Sequence, residues 1–387
     1  MSVAARWGDE AHALRSEFLS TLIDDRPDGR ASVRPGAGGA EHVLDRLHRM
    51  MWATVNGLKS CIGRVQRASG PVPPADGVAF IAGHLAEFEW LYLRLADDAS
   101  RGVLLALLRA RLLGLPYRHP SRDSTVYQQA QRRIAPEFLV ERDTRKPWLP
   151  YLNRYCVAGA GGKIVLQSDE PPLLHTFLLE QYAYRQEGTT ICANPGDIVI
   201  DGGSKHGTSA LYFADRVGAA GRVYAVELRA GNAALIGENL VLNPRLQDQV
   251  TMLERALSDS TGDRVSYRPS GPASQPVRID QWGMLSVNTE TIIIDDLVEQ
   301  ERLHRVDLLK LDIGGWEHCA LTGARRTLAQ FQPTLAVALA HDLADLIDIP
   351  AYLAEVTDGY DFFLHDVTPQ GDRPILFARP PARAARR

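Results

Sequence analysis

Five short apolar runs alternate with helical segments in the second half of this chain, and this alternation constrains the fold more than any other feature of the sequence. The runs cover residues 197–203, 222–228, 250–257, 306–313 and 333–340. Strands that are apolar on both faces and separated by helices form a parallel sheet with helices on each side. The second half is therefore predicted to fold around such a sheet.

Two more β-like runs, residues 360–367 and 373–380, are joined by a short turn containing Pro and Gly. This spacing predicts an antiparallel hairpin, which we place at the edge of the sheet. The 258–295 segment is too long for a plain crossover, so it is expected to hold additional β structure. The predicted fold class is α/β, a doubly wound Rossmann-like sheet with an antiparallel edge hairpin, plus a mainly helical N-terminal region.

The region before the sheet has a helical pattern that is divided by Gly- and Pro-rich stretches. Residues 1–78 are predicted to be a helical extension with linkers. Residues 79–190 are predicted to be a helical and mixed cap region, with one helix near 172–186. Residues 191–387 then form the α/β domain.

Composition narrows the classes of function. The 387 residues carry a formal net charge of −4 and have a pI near 6.3, so the overall charge does not indicate a surface for nucleic acid or for an anionic membrane. No apolar run approaches the roughly 18–20 residues of a membrane span, and the first residues lack a secretory signal pattern. The four cysteines contain no CxxC pair, which argues against a disulfide framework or a zinc ribbon. We therefore expect a soluble, cytoplasmic protein.

The first apolar run leads into a glycine loop and then a helix that begins near Thr208. From Asp201 to Gly207 the loop reads D-G-G-S-K-H-G. A loop of this kind, with free amides at the helix start, can hold a dinucleotide pyrophosphate or the carboxylate end of S-adenosylmethionine (SAM). The dinucleotide fingerprint G-x-G-x-x-G is not matched, and Asp201 would attract the cationic amino group of SAM but repel a pyrophosphate. The loop therefore favours SAM over NAD.

Glu227 ends the second apolar run, 24 residues after Gly203. An acidic side chain there can accept hydrogen bonds from both ribose hydroxyls of a nucleoside cofactor. Because NAD and SAM sites share this feature, Glu227 alone does not discriminate between them.

Seven segments, taken together and in this order, resemble the FkbM-type SAM-dependent methyltransferases. They are GDIVIDGGSKHGTSALYFADRVG (196–218), GRVYAVEL (221–228), ENLVLN (238–243), ALSDSTG (256–262), IDDL (294–297), VDLLKLDIGGWE (306–317) and LTGARRTL (321–328). The resemblance implies a class I methyltransferase fold with SAM bound at the carboxyl ends of the parallel strands. It does not cover residues 1–78, for which we expect either capping of the active site or dimerisation into a homodimer through the N-terminal helices.

The resemblance also implies roles for individual residues. Glu227 would hold the ribose, residues 256–258 would lie near the adenine, and Asp312 would face the methionine part or the acceptor. The full set implied to bind SAM is Asp201, Gly203, Ser204, Gly207, Glu227, Leu228, Ala256, Leu257, Ser258 and Asp312.

Two departures from the family pattern stand out. The family usually has an acidic residue followed by Gly after K-x-D-[IV], and this chain has Gly314-Gly315. Lys205 and His206 replace residues that are typically small, polar or aromatic. The first departure bears on activation of the acceptor and not on SAM binding.

Methylation of a hydroxyl needs a group that removes its proton, whereas the sulfonium of SAM is already activated. The candidate bases are His341, His206 and His318. His341 is preferred because it follows the fifth apolar run, at the edge of the sheet where ligands bind. Asp312 is the further predicted catalytic residue. Together with His341-Asp342 it could also offer ligands to Mg²⁺, but the chain has no strong metal-ligand spacing, so Mg²⁺ is the less favoured option.

We therefore expect a SAM-dependent methyltransferase that acts on a hydroxyl of a small-molecule natural product or sugar, a substrate class implied by the resemblance alone. The expected partner is this small-molecule acceptor, with no nucleic acid and no membrane. Two alternatives stay open. One is N-methylation, which needs little base catalysis, and the other is a non-catalytic or repurposed SAM-fold protein, suggested by Gly314 and by the helical extension.

Overall fold

The computed structural model describes residues 75–113, 124–142, 152–186, 188–267, 276–278 and 289–381. In chain order the helices there are α1 (Ala75–Gly83), α2 (Leu85–Arg94), α3 (Asp98–Leu113), α4 (Ser124–Arg133), α5 (Glu170–Leu173), α6 (Thr208–Val217), α7 (Ala230–Val241), α8 (Pro244–Gln247), α9 (Ile294–Gln300), α10 (Glu317–Thr322), α11 (Arg325–Phe331) and α12 (Asp345–Val356). The strands are β1 (Leu139–Arg142), β2 (Asn153–Gly159), β3 (Gly162–Ser168), β4 (Tyr184–Gln186), β5 (Thr189–Ile191), β6 (Ile198–Gly202), β7 (Arg222–Val226), β8 (Val250–Leu253), β9 (Ala256–Leu257), β10 (Arg264–Tyr267), β11 (Pro276–Arg278), β12 (Thr289–Ile292), β13 (Leu308–Leu311), β14 (Thr334–Ala338), β15 (Asp361–His365) and β16 (Ile375–Arg379). Most of the predicted N-terminal extension, and with it the predicted homodimer contact, lies outside the described residues.

Seven of the described strands form one sheet in the order β15-β16-β14-β13-β6-β7-β8. The five strands from β14 to β8 are all parallel to one another. Every residue of β6 and of β13 is buried, as expected for strands that are covered by helices on both faces. The doubly wound α/β fold predicted from the apolar runs is confirmed.

The antiparallel edge hairpin is also confirmed. β15 and β16 pair antiparallel, and β16 pairs antiparallel with β14. Since β16 runs against β14, the turn that precedes β16 lies beside the carboxyl end of β14. The hairpin turn therefore shares an edge of the sheet with the loops that follow β6, β7 and β13.

The direction of winding changes at β6, which has β7 and β8 on one side and β13 and β14 on the other. In open α/β sheets, ligands bind in the crevice outside the carboxyl ends of the strands at such a switch point. The fold thus directs attention to the loops after β6 and β13.

The run at 250–257 was expected to be a single strand and is divided in two. β8 ends at Leu253, two exposed residues follow, and β9 then pairs in parallel with β12. β9 and β12 belong to a separate sheet of order β11-β10-β12-β9. Its strands β10, β11 and β12 supply the additional β structure predicted for 258–295.

The helix predicted near 172–186 is much shorter than its pattern indicated. α5 ends at Leu173 and continues as a π-helical turn, Leu174–Leu178. Glu180 then takes a positive φ of 50°, which is incompatible with a continued right-handed helix. The apolar residues beyond it stay buried because the chain continues into the strand β4.

The described residues fall into two compact units, one of residues 75–94 with 101–113 and the other of residues 95–100 with 124–381. The first unit contains α1, α2 and most of α3. The second contains the central sheet and an antiparallel sheet of order β1-β2-β3. Among the described helices, none combines the length and the apolar character of a membrane span. The domain boundaries at residues 78 and 190 stay predictions.

Candidate active site

Glycine at two positions shapes the loop after β6. Gly203 and Gly207 have φ of 79° and 83°, in the left-handed region that other residues rarely adopt. A Cβ atom on Gly203 would collide with the carbonyl oxygen of Asp312. The missing side chain at Gly203 therefore allows the ends of β6 and β13 to approach each other.

A fully buried ion pair lies under this loop. The Lys310 ammonium is 2.9 Å from Oδ1 of Asp201, and both side chains are inaccessible to solvent. Lys310 Nζ also donates to the carbonyl oxygens of the two glycines that end β6 and begin the loop, at 2.9 Å each. The hydroxyls of Ser204 and Ser209 donate to Oδ2 of Asp201 at 2.8 and 2.7 Å. These bonds attach the backbone of the loop to the buried ion pair and so fix its conformation.

Glu227, just after β7, is held from three directions and is 5% exposed. Its Oε2 accepts the backbone N–H of Lys205 at 2.9 Å. Its Oε1 accepts the backbone N–H of Arg229 at 3.0 Å and the side-chain amide of Asn232 at 3.1 Å. Burial raises the pKa of Glu227 above its ordinary value, against the effect of these donors. A carboxylate offers about four acceptor sites, so three donors leave capacity for a ligand hydroxyl.

A cavity of about 390 Å³ opens at the carboxyl edge of the sheet, beside the ends of β6, β7 and β13. Small-molecule sites usually have volumes of roughly 300–1,000 Å³, so this one is large enough to bind such a ligand. Eight of the residues predicted from the sequence line it: Gly203, Ser204, Glu227, Leu228, Ala256, Leu257, Asp312 and His341.

Four other predicted residues, Asp201, Gly207, Ser258 and His206, are not among those that line the cavity. Gly207 packs against α7, and the Ser258 hydroxyl donates to its neighbour in the chain, 3.1 Å away. His206 Nδ1 lies 3.3 Å from a carboxylate oxygen of Asp169. The structure thus gives these four residues contacts within the protein, and their predicted roles in binding and catalysis stay predictions.

His318, the third candidate base, also does not line the cavity. It is exposed on α10, with its ring 5.0 Å from that of Tyr352.

Asp312, His341 and Glu317 form a cluster at one end of the cavity. His341 Nε2 is 3.6 Å from Asp312 Oδ1 and 3.4 Å from Glu317 Oε1, and the Tyr182 hydroxyl donates to Asp312 Oδ2 at 2.9 Å. Burial alone would raise the pKa of Asp312, but His341 and the charge of Lys310 hold it well below its usual range. Burial likewise lowers the pKa of His341, but the two carboxylates outweigh it and the pKa lies above its ordinary value.

The turn at Gly314-Gly315 places two backbone N–H groups within hydrogen-bond distance of the Glu317 carboxylate. Oε1 of Glu317 accepts the N–H of Ile313 at 2.6 Å, and Oε2 accepts the N–H of Gly315 at 2.9 Å. Both glycines have positive φ, 79° and 95°, so a side chain at either position would be strained. Although an acid is missing at position 314, a buried carboxylate three residues later lies beside His341.

The same three side chains offer ligand atoms that all lie within 4.8 Å of one another, the spacing that a metal ion would need. Mg²⁺ prefers octahedral oxygen ligands, and here one of the three ligands is an imidazole. Both Glu317 oxygens already accept backbone N–H groups. The cluster is therefore better suited to holding a proton on His341 than to binding Mg²⁺.

Several residues that line the cavity were not singled out from the sequence, among them Asp169, His175, Tyr182 and Arg373. Asp169 pairs with Lys205, Nζ to Oδ2, at 2.9 Å. His175 lies on the π-helical turn, where burial together with the charge of Arg373 lowers its pKa to about 4. Asp169, His175 and Arg373 lie in segments whose local pattern carries no motif. Only the π-helical turn, a feature common at functional sites, could have drawn attention to one of them, and it is visible only in the structure.

Residues 193–362 match the methyltransferase FkbM domain family. No curated protein was found that matches the chain. Among solved structures, the methyltransferase FkbM of Methylobacillus flagellatus KT has 21% identity and a TM-score of 0.49, over 78% of this chain and 60% of that one. The chain thus spans about 60% of the length of that protein.

Two more distant structures are similar over smaller parts of this chain. Fibrillarin of Aeropyrum pernix, which was solved with natively bound SAM, has 13% identity and a TM-score of 0.31, over 62% of this chain and 99% of that one. A SAM-dependent O-methyltransferase of Thermotoga maritima has 16% identity and a TM-score of 0.31, over 59% and 78%. The strand order, and not these similarities, establishes the fold. The family that the sequence motifs resemble is thus the family whose model matches residues 193–362.

Proposed function

We propose that this protein is a SAM-dependent methyltransferase that transfers a methyl group to a hydroxyl of a small molecule, of the natural-product or sugar class. One observation carries the proposal. A single cavity joins the glycine loop and Glu227 on one side to Asp312 and His341 on the other. A nucleoside cofactor and a proton-accepting group would therefore meet in the same space.

The residues on the β6–β8 side of the cavity fit SAM. Glu227 retains acceptor capacity for a ribose hydroxyl, and apolar side chains of Leu228 and Leu257 also line the cavity. Thr208 and Ser209 begin α6 and line the cavity, and first-turn amides of a helix have no partners within the helix. They would donate to the methionine carboxylate. When bound, SAM would supply a methyl group on a positively charged sulfur, ready for in-line attack.

On the other side, His341 would take the proton of the acceptor hydroxyl. The carboxylates of Asp312 and Glu317, which flank its Nε2, would stabilise the imidazolium that forms. Tyr182 orients Asp312 by donating to its second oxygen. The presence of Glu317 next to His341 counts against a non-catalytic protein, because the carboxylate expected near position 314 is supplied from position 317.

The first test is calorimetric titration of the protein with SAM, with NAD as the control ligand. Glu227→Gln is the informative variant, since Asp201→Ala would leave Lys310 buried without its partner and would disturb the fold. We expect SAM and not NAD to bind the wild type. Loss of a hydrogen bond to a charged group, about 1.5–3 kcal/mol, should weaken SAM binding by about tenfold or more in Glu227→Gln.

Glu238→Gln is the matched control, because Glu238 is an exposed acid on α7. It should bind SAM like the wild type. If the wild type binds no SAM, or if Glu227→Gln and Glu238→Gln bind it equally well, the proposed function is wrong.

A further inference from the structure

The turn between β15 and β16 contributes one side chain to the cavity, that of Arg373. The Asp366 carboxylate fixes this turn: Oδ1 accepts the N–H and the hydroxyl of Thr368 at 2.7 Å each, and Oδ2 accepts the N–H of Arg373 at 3.2 Å. The backbone that carries the arginine is therefore held in place by bonds that do not involve its guanidinium.

Among the described residues, the guanidinium of Arg373 has no hydrogen bond and no ion pair within 4 Å. Two lysines near the loop are engaged: Lys205 pairs with Asp169 at 2.9 Å, and Lys310 pairs with Asp201 at 2.9 Å. Arg229 and Arg255 also line the cavity, and the guanidinium of Arg255 donates to the carbonyl oxygen of Glu254 at 2.9 Å.

The nearby carboxylate of Asp312 already accepts from Tyr182 and lies beside His341. Arg373 thus brings a positive charge to the cavity wall with no ion pair within 4 Å among the described residues. Burial alone would lower the pKa of Arg373, but the charges of Asp312, Asp372 and Asp366 raise it from a greater distance.

The position of Arg373 in the sheet assigns it to the acceptor side. β16 is separated from β6 by β14 and β13, and neighbouring strands lie about 4.8 Å apart. The start of β16 is therefore roughly 14 Å from the glycine loop, beyond the end of β13 where Asp312 lies. In the proposed function, the methionine carboxylate would have its donors at the start of α6, which follows β6 and not the edge hairpin.

His175 adds a second polar group to the lining of the cavity. Burial lowers the pKa of its ring, and Arg373 lies near enough for its charge to lower that pKa further. Its Nε2 lies 3.2 Å from the hydroxyl of Tyr127, which fixes the ring, and the lowered pKa keeps it neutral near pH 7. A neutral imidazole does not repel an anion and can donate one hydrogen bond to it.

We propose that Arg373 binds an anionic group of the methyl acceptor, so that the substrate is a hydroxyl compound that also carries a carboxylate or a phosphate. The proposal rests on the proposed function, because it places the acceptor in the half of the cavity that faces Asp312 and His341. Arginine suits this role since its planar fork can donate two hydrogen bonds to such a group.

The test uses glycolate, the smallest compound with both a hydroxyl and a carboxylate, and ethylene glycol as its uncharged counterpart. Binding is followed by ligand-observed saturation-transfer NMR on the full chain, at constant ionic strength, with and without saturating S-adenosylhomocysteine. We expect saturable binding of glycolate and not of ethylene glycol. Arg373→Met should weaken glycolate binding by about tenfold or more, and Arg373→Lys should retain part of it.

Arg222→Met is the matched control, since Arg222 is an exposed arginine at the start of β7, at the end of the sheet opposite to the cavity. This variant should bind glycolate like the wild type. The affinity of Arg373→Met for S-adenosylhomocysteine should stay within about twofold of the wild-type value. If that affinity falls as much as the affinity for glycolate, Arg373 binds the cofactor carboxylate and the proposal is wrong.

The proposal is also wrong if the wild type and Arg373→Met bind glycolate equally, because Arg373 would then only balance the charge of Asp312. Failure of the proposed function itself is separable. It would appear as absence of SAM binding in the calorimetric titration, whereas the glycolate titration without S-adenosylhomocysteine still tests Arg373.

Discussion

The two halves of the cavity differ in how their charges are compensated. In the half formed after β6 and β7, which we assign to the cofactor, Asp201 is paired with Lys310 and Glu227 accepts three N–H groups of the protein. In the half formed after β13, β14 and the edge hairpin, His341 is 3.4–3.6 Å from two carboxylates, and Arg373 has no ion pair within 4 Å among the described residues. In the cofactor half, the charged groups are paired by other groups of the protein. The acceptor half keeps a charged group that a ligand could pair with.

Lys310→Met offers the strongest test of this contrast. The variant leaves Asp201 buried without a counter-ion and removes the donor to the two loop carbonyls. Breaking a buried pair in this way costs about 3–5 kcal/mol, so we expect a loss of that size in the free energy of unfolding, measured by urea denaturation, together with loss of SAM binding.

Lys163→Met is the control, since Lys163 is exposed on β3, and it should be close to wild type. The double variant Asp201→Asn with Lys310→Met should recover part of the loss, because two residues in contact do not contribute additively. Equal stability of Lys310→Met and Lys163→Met would show that the loop does not depend on the pair.

A second test concerns the base in the acceptor half. His341→Ala should lower kcat/KM for a hydroxyl acceptor by about 10²–10⁴, the range for loss of a general base, while SAM affinity stays near the wild-type value. In the wild type, activity should rise with pH through an apparent pKa above the ordinary histidine value, because the neutral ring accepts the proton and Asp312 and Glu317 favour the charged ring.

His318→Ala is the matched control for this variant and should leave the rate unchanged. If His341→Ala keeps most of the activity, then O-methylation with His341 as base is wrong and N-methylation becomes the better interpretation.

His175, on the π-helical turn that lines the cavity, tests whether water is excluded from this part of the cavity wall. Its pKa is about 4 in the folded chain, against about 6.5 in an unfolded one. Between these values the unfolded chain binds a proton and the folded chain does not, so stability should fall as the pH drops from about 6.5 towards 4, by about 2 kcal/mol at pH 5.

The measurement is the free energy of unfolding in urea at pH 7 and at pH 5. His175→Gln should lose less stability than the wild type between these two pH values, whereas His318→Gln, at an exposed position, should lose as much as the wild type. An equal acid dependence in wild type and His175→Gln would mean that the ring is solvated in the folded state.

The same contrast explains which parts of the molecule could be predicted from the sequence. The glycine loop and Glu227 lie in short contiguous motifs, and local patterns predict them. The other cavity residues Asp169, His175 and Arg373 come from segments far from the glycine loop in the sequence. They meet the loop only in the folded chain, so no local sequence pattern identifies them as site residues. Lys310 did leave a signal, because a lysine within an otherwise apolar strand implies a buried anion as its partner.

Glu317→Gln should give the smallest of these effects, a displacement of the pH profile without loss of the fold. The Glu317 carboxylate raises the pKa of His341 by its charge, so its replacement by a neutral amide should move the rise in activity to lower pH. Glu355→Gln, an exposed acid on α12, is the control and should leave the profile in place. A profile that does not move would mean that Asp312 alone sets the pKa of the base. Glu317 would then serve only to close the turn at Gly314-Gly315, and the acceptor half would depend on one carboxylate, whereas the cofactor half has both Asp201 and Glu227.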